Sequence, residues 1–259
     1  MGTSSGTSLA IDPSRYGLRA LVTRPRAEAA GLADELASRG VAALIEPLLD
    51  IRYRNEPTPD LAGAQAVLCT SANGVRALAR LSDERTVPLL AVGEASAAQA
   101  REEGFSQVYS ADGAIGDLVH LVRERLRPEA GRLLHIAGSD VAGDLAGELR
   151  EIGFAIDRVV LYEARPVPTL SAATVRSLSA GIVDFALFFS PRTAAIFVRL
   201  AENAGLAEAM RFVSAVSISA AADNALEPLR FVTRRIAERP DQPSLLAALD
   251  RLLLERRRA

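Results

Sequence analysis

Residues 18–47 read LRALVTRPRAEAAGLADELASRGVAALIEP. An apolar run (Leu18 to Thr23) comes first. An Ala/Leu/Glu-rich stretch (Arg26 to Arg39) follows, then Gly40, then a second apolar run (Val41 to Pro47). The order predicts a strand, a helix closed by a glycine at its C′ position, and a strand. Residues 132–162, RLLHIAGSDVAGDLAGELREIGFAIDRVVLY, repeat the unit. Here the first strand is Arg132 to Ile136, the helix Ala142 to Ile152, the stop Gly153, and the second strand Phe154 to Tyr162. The closing glycines, Gly40 and Gly153, stand 113 positions apart.

A second kind of unit also occurs twice. In the first copy a strand (Ala66 to Thr70) runs into a helix (Asn73 to Leu81). A strand (Leu89 to Gly93), a small-residue helix (Ala95 to Glu103), Gly104 and a short strand near Val108 follow. The echo is a strand at Phe185 to Phe189, Ser190, a helix at Thr193 to Glu202 and a strand at Val213 to Val216. A helix at Ser219 to Ala225, a strand near Phe231 and a last helix at Pro243 to Glu255 complete it. The chain therefore alternates two units, a–b–a′–b′. Near-continuous apolar strands alternating with helices predict an α/β fold with parallel sheets. Each copy carries enough strands for one flavodoxin-like domain. Spacing alone permits two partitions: the copies in series, or a crossed arrangement of a with b′ and b with a′. The Pro-bearing stretches Pro47 to Pro59 and Arg165 to Pro168 would carry a double crossing.

Composition narrows the chemistry. Of 259 residues 49% are apolar and 24% charged, which excludes disorder for most of the chain. The net charge is −2, so no basic excess points to nucleic acid. The sequence contains no Lys, which removes Schiff-base and P-loop lysine chemistry. One cysteine, Cys69, leaves no disulfide within the chain and no CxxC metal site. His120 and His135 lack zinc-site spacing, and no metal is expected. No apolar run reaches the length of a membrane span. Residues 1–17 are Gly/Ser/Thr-rich with no apolar core of a signal peptide, and are expected to be a mobile tail. A cytoplasmic monomer acting on a small molecule is expected, without nucleic-acid or membrane partners.

Small hydroxyls and glycines gather where strands run into helices. They are Thr23 with Arg24, Ser71, Gly93 with Ser96, Gly138 with Ser139, Ser190, and Ser217 with Ser219. In open parallel sheets ligands bind at these carboxyl ends, and helix N-termini there favour anions. Ser and Thr also simply cap helices, and each position carries that plainer reading. Six such places on one cleft would suit a polyanion. The absences agree: no GxGxxG follows the first strand, and no GxSxG elbow is present. His135 reads as a packed strand residue, His120 as surface, and Cys69 as core. Arg24, Arg76 and Arg192 flank the strand ends and could pair with carboxylates.

At these residues the sequence resembles the uroporphyrinogen-III synthase family. The resemblance runs from about Leu18 to Leu254. It is carried by LVTRP (21–25), ELASRGVAALIEPL (35–48), LCTSANGVRALA (68–79), AVGEASAAQAREEGF (91–105), LREIGFAIDRVVLYEARP (149–166), FALFFSPRTAAIF (185–197) and AERPDQPSLLAAL (237–249). It implies the crossed partition, with 18–48 plus 168–259 as one domain and 49–167 as the other, joined by a two-stranded hinge. It implies that hydroxymethylbilane, a linear tetrapyrrole polycarboxylate, loses its terminal hydroxyl as water and closes with its last ring inverted. No cofactor is implied.

By position, Tyr162 is similar to the family's tyrosine near the leaving hydroxyl; its plainer reading is a packed strand tyrosine. Ser96 stands at the Thr of the family's Gly-x-x-Thr turn, and Ser71 and Ser190 at the two hydroxyl turns facing the cleft. The second-copy turn departs: Val216-Ser217-Ile218-Ser219-Ala220 stands where the family reads Ile-Gly-Pro-x-Thr. That departure keeps a second expectation open, a non-catalytic tetrapyrrole- or anion-binding module. A two-lobe solute-binding protein is a third, which the lack of an export signal disfavours.

Overall fold

A computed structural model describes residues 17–111, 113–140 and 143–258. Apart from Gly17, the expected tail lies outside the described residues. In chain order the elements begin with β1 (Arg19–Val22), α1 (Arg26–Ser38), β2 (Ala42–Ile45), β3 (Leu49–Tyr53), β4 (Ala64–Cys69) and α2 (Ala72–Ala79). Next come β5 (Leu89–Ala91), α3 (Glu94–Glu102), β6 (Val108–Ser110), α4 (Ile115–Arg125), β7 (Arg132–Gly138), α5 (Leu145–Glu151) and β8 (Ile156–Pro166). The last are α6 (Ala172–Ser179), β9 (Phe185–Phe188), α7 (Pro191–Asn203), β10 (Ser214–Ser217), α8 (Ala220–Asn224), β11 (Thr233–Ile236) and α9 (Gln242–Arg258).

The chain divides into two compact units. One holds the described residues up to Leu49 and from Pro166 onward; the other is Asp50–Arg165. The first unit's sheet has the order β2-β1-β9-β10-β11, and every neighbouring pair is parallel. Numbered along the chain within that unit, this is the flavodoxin-like order 2-1-3-4-5. The second sheet is β3-β8-β7-β4-β5-β6, with parallel pairing from β8 through β6. Counted from β7, the strands β7, β8, β4, β5 and β6 give the same order in circularly permuted form. The α/β class with parallel sheets therefore holds. The chain passes between the units within β3 and again within β8. Beside the passage the Val167 N–H donates to the Leu48 carbonyl at 3.1 Å.

The repeated glycines do what their position predicts. Gly40 and Gly153 have φ of 75° and 91°, a region open to glycine at little cost. At each, the next N–H folds back: Val41 donates to Leu36 O at 2.9 Å, and Phe154 to Leu149 O at 3.0 Å. This is the Schellman closure, and its apolar contact pairs buried residues in both cases.

Each sheet is covered on both faces. In β1, Leu21 packs into one cluster of the first unit, while Ala20 and Val22 pack into the other. In β9, Ala186 and Phe188 face one way and Phe185 and Leu187 the other. Two buried faces explain why these strands show no apolar/polar alternation. Burial of each large apolar side chain stabilises by about 1.5–3 kcal/mol. The sequence predicts a crossing stretch over residues 47–59, where the structure has β3, and gives no sign of α6. The strand expected near Phe231 begins two residues later, at Thr233.

Candidate functional site

In a parallel sheet with helical returns, the helices start beside the strands' carboxyl ends, and the expected site residues lie there. In the second unit, Ser71 caps α2, its Oγ accepting the Asn73 N–H at 3.1 Å. Gly93 caps α3 in extended backbone, φ −168°, with no side chain over the helix start. Ser96 sits one turn in, 5% exposed, with its N–H donated to Gly93 O at 3.1 Å. Asn73, which the sequence reading passed over, is buried and joins two neighbours. Its Oδ1 accepts from Tyr53 Oη at 3.4 Å and from Arg76 Nη1 at 3.3 Å. Arg76 also reaches Gln99 and so links α2 to α3.

At the end of β7, Gly138 and Ser139 lie beside Tyr162 of β8. Tyr162 is 8% exposed and packs in the cluster containing Val67, Leu134 and Ile136. The Ser139 N–H donates to Tyr162 O at 2.9 Å. Gly138 and Tyr162 on β7 and β8, Ser71, Gly93 and Ser139 just beyond β4, β5 and β7, and Ser96 in the first turn of α3 therefore share one end of the second sheet.

The first unit brings the remaining five to the corresponding end of its own sheet. Thr23 is fully buried, and its hydroxyl donates to Leu187 O at 2.8 Å, tying β1 to β9. Arg24 is held on three sides. It pairs with Glu28 at 3.1 Å, donates to Gln242 Oε1 at 2.6 Å and stacks on Phe189 with Cζ 4.5 Å from the ring centroid. Ser190 caps α7, its Oγ accepting the Thr193 N–H at 3.1 Å. Ser217 is fully buried, its hydroxyl without a hydrogen-bond partner among the described residues. Ser219 caps α8, accepting the Ala222 N–H at 3.3 Å.

The second-copy turn needs a register correction. Val92 N donates to Cys69 O at 3.0 Å, and Ile218 N to Phe188 O at 2.9 Å. These residues occupy the same step after β5 and β10, so Gly93 corresponds to Ser219, and Ser96 to Ala222. The sequence reading set Ser217 against Gly93, two places early, because β10 continues through Ser217. Against the first copy, this turn has Ala222 in place of the inner hydroxyl of Ser96 and a capping hydroxyl, Ser219, in place of Gly93.

A buried carboxylate on the first rim escaped the sequence reading. Glu46 follows β2 and is 5% exposed. Its Oε1 accepts the Ser171 N–H at 2.7 Å, and its Oε2 accepts the Ser171 and Thr174 hydroxyls, each at 2.6 Å. The N-terminus of α6 is thus filled by a carboxylate of the chain itself, the arrangement expected for an anion at a helix start. Only the cap at Ser171 could have hinted at this; its partner lies 125 residues away.

Two groups are removed from acid–base or nucleophilic use. Burial pushes the Cys69 thiol up to about 12. Burial, with Arg158 nearby, lowers His135 to about 4, so its ring is neutral at pH 7. A cavity of about 340 Å3, lined by Pro88, Leu90, Gln107, Tyr109, Arg125 and Leu126, holds none of the expected site residues. Among the described residues, no helix is long and apolar enough to cross a membrane.

Sheet order and rim chemistry define the class: an α/β protein of two flavodoxin-like units whose strand ends carry hydroxyl-capped helix starts. Residues 30–247 match the family model described as uroporphyrinogen-III synthase HemD, and the chain belongs to the uroporphyrinogen-III synthase family. It is 26% identical over 242 residues to the uroporphyrinogen-III synthase of Chlorobaculum parvum, covering 88% of this chain and 96% of that one. The fold is similar to that of the uroporphyrinogen-III synthetase of Helicobacter pylori, with TM-score 0.60 and 17% identity, over 91% of this chain and 99% of that one. A mutant uroporphyrinogen III synthase of Thermus thermophilus gives TM-score 0.55 and 21% identity, over 92% and 99%.

Proposed function

We propose that the protein converts hydroxymethylbilane to uroporphyrinogen III, the ring-inverted isomer, in tetrapyrrole biosynthesis. The family match over residues 30–247 carries this reading. The chemistry asks little of side chains. Loss of hydroxide as water leaves a cation stabilised by its pyrrole. Attack by the substituted carbon of the far terminal ring gives a spiro intermediate; that ring's original methylene bond then breaks, and the freed methylene carbon bonds to the ring's free α-carbon, which loses a proton, so that the ring is inverted. Holding a flexible chain in the reactive geometry supplies several kcal/mol.

In this reading the helix starts capped by Ser71, Gly93, Ser190 and Ser219, together with Ser96 and Ser139, donate to substrate carboxylates. Each such charged hydrogen bond contributes roughly 1.5–3 kcal/mol. Tyr162 donates to the leaving hydroxyl. Thr23, Arg24 and Ser217 shape the first rim from within, since the Thr23 and Ser217 hydroxyls are buried and the Arg24 guanidinium is engaged. We assign the reaction to the cytoplasm and the working state to a monomer, which size-exclusion chromatography would check.

The decisive experiment is incubation with freshly prepared hydroxymethylbilane, followed by separation of product isomers. Type III product well above the blank is expected. Type I product alone, at the rate of the blank, would overturn the assignment. A second reading, tetrapyrrole binding without inversion, is favoured by one observation: Ala222 stands where the first copy has Ser96. It predicts a bound tetrapyrrole and only type I product.

A further inference from the structure

Gly138 and Tyr162 face one another across β7 and β8, brought opposite by a register shift between Ala137 and Gly138. A methyl group built on Gly138 would lie 2.9 Å from Tyr162 Cζ, 3.0 Å from Cε2 and 3.2 Å from the hydroxyl oxygen. The phenol end of the ring therefore rests directly on the Gly138 backbone. Gly138 is not among the glycines with positive φ, so its backbone would accept any residue. The ring is what demands a glycine there.

The same strand end is fixed from a second side. Arg158 Nη2 donates to Gly138 O at 2.8 Å and to Ser139 O at 3.0 Å. Ser139 N in turn donates to Tyr162 O. Arg158 and the Tyr162 backbone thus hold the turn whose Gly138 lies against the ring.

We propose that Gly138 is the positioning residue for the Tyr162 phenol, with Arg158 clamping the turn that carries it. The proposal rests on the reading that Tyr162 assists loss of the hydroxyl. It predicts that the effects of Gly138 and Tyr162 on turnover are one effect.

The test is a double-mutant cycle on the full chain, with kcat and KM for hydroxymethylbilane. Tyr162→Phe is expected to lower kcat about a hundredfold, the lower end for a positioned proton donor. Gly138→Ala is expected to lower kcat tenfold or more with KM unchanged, as small misplacements of reacting groups do. The double variant is expected to be no slower than Tyr162→Phe. Gly138→Ala should also lower Tm, and adding Tyr162→Leu, which clears the ring, should restore it.

Wild-type kcat in Gly138→Ala, or a double variant slowed by the product of the two single effects, overturns the proposal while leaving Tyr162 catalytic. Wild-type kcat in Tyr162→Phe overturns the reading of Tyr162 and the proposal with it. Should Gly138→Ala fail to fold, Arg158→Met carries the test. A tenfold loss of kcat at constant KM supports the clamp, and wild-type kcat overturns it.

Discussion

Glu46→Ala is expected to cost about 2–3 kcal/mol of stability, the range for losing hydrogen bonds to a charged group. Three donors converge on that carboxylate, from the Ser171 N–H and the Ser171 and Thr174 hydroxyls. Alanine orphans the fully buried Thr174 hydroxyl, which costs about 1–3 kcal/mol, while the exposed Ser171 turns to water and to Thr174 Oγ1. Glu46→Gln should lose less, because an amide keeps one accepting oxygen, although its NH2 cannot accept from the donors it meets. Urea denaturation gives both numbers. An alanine variant within 1 kcal/mol of wild type would show that water replaces the carboxylate without penalty.

The second large effect is acid sensitivity centred on His135. His135 is 3% exposed, and neither ring nitrogen has a hydrogen-bond partner among the described residues. Its value falls from an ordinary 6.5 to about 4, chiefly through burial and then through Arg158. Between those values the unfolded chain binds a proton that the native one refuses. Stability from this group is therefore complete above pH 6.5 and is lost as pH falls toward 4, by about 3 kcal/mol in all. Of this, about 2 kcal/mol falls between pH 6.5 and pH 5. His135→Leu should remove that slope. Urea denaturation of wild type and variant at pH 7.5 and 5.0 makes the comparison, and equal slopes would refute the assignment.

Local chemistry explains what was legible in the chain. Gly40 and Gly153 announce their helix ends because only glycine is comfortable there, and the repeat of the strand–helix–strand unit follows from them. Ser71 and Ser190 are legible as caps for a similar reason: the donors they satisfy lie two and three residues away. Strand pairing is not local. Ala20 lies beside Phe185, and no periodicity in either strand points to the other. With both faces of the sheets buried, the strands give no inside–outside pattern from which to infer neighbours. The β3 strand does alternate, but its proline-bearing surroundings made it look like a connection. The turn at Ser217 to Ser219 was misregistered because one more ladder step moves a serine from the rim into the interior. Glu46 was invisible, since a glutamate before a proline reads as surface until Ser171 is placed against it.

The permuted strand order has a consequence for synthesis on the ribosome. Asp50–Arg165 is one unbroken stretch and holds all of its own sheet apart from the outermost residues of β3 and β8. The strands β1 and β2, made earlier, must wait for β9, more than a hundred codons downstream. At ordinary elongation rates the delay is on the order of ten seconds. Nascent chains stalled with residue 170 just outside the exit tunnel should therefore resist protease across the later-made stretch while remaining open to cleavage near the amino terminus. For this chain, vectorial folding would run against the order of translation.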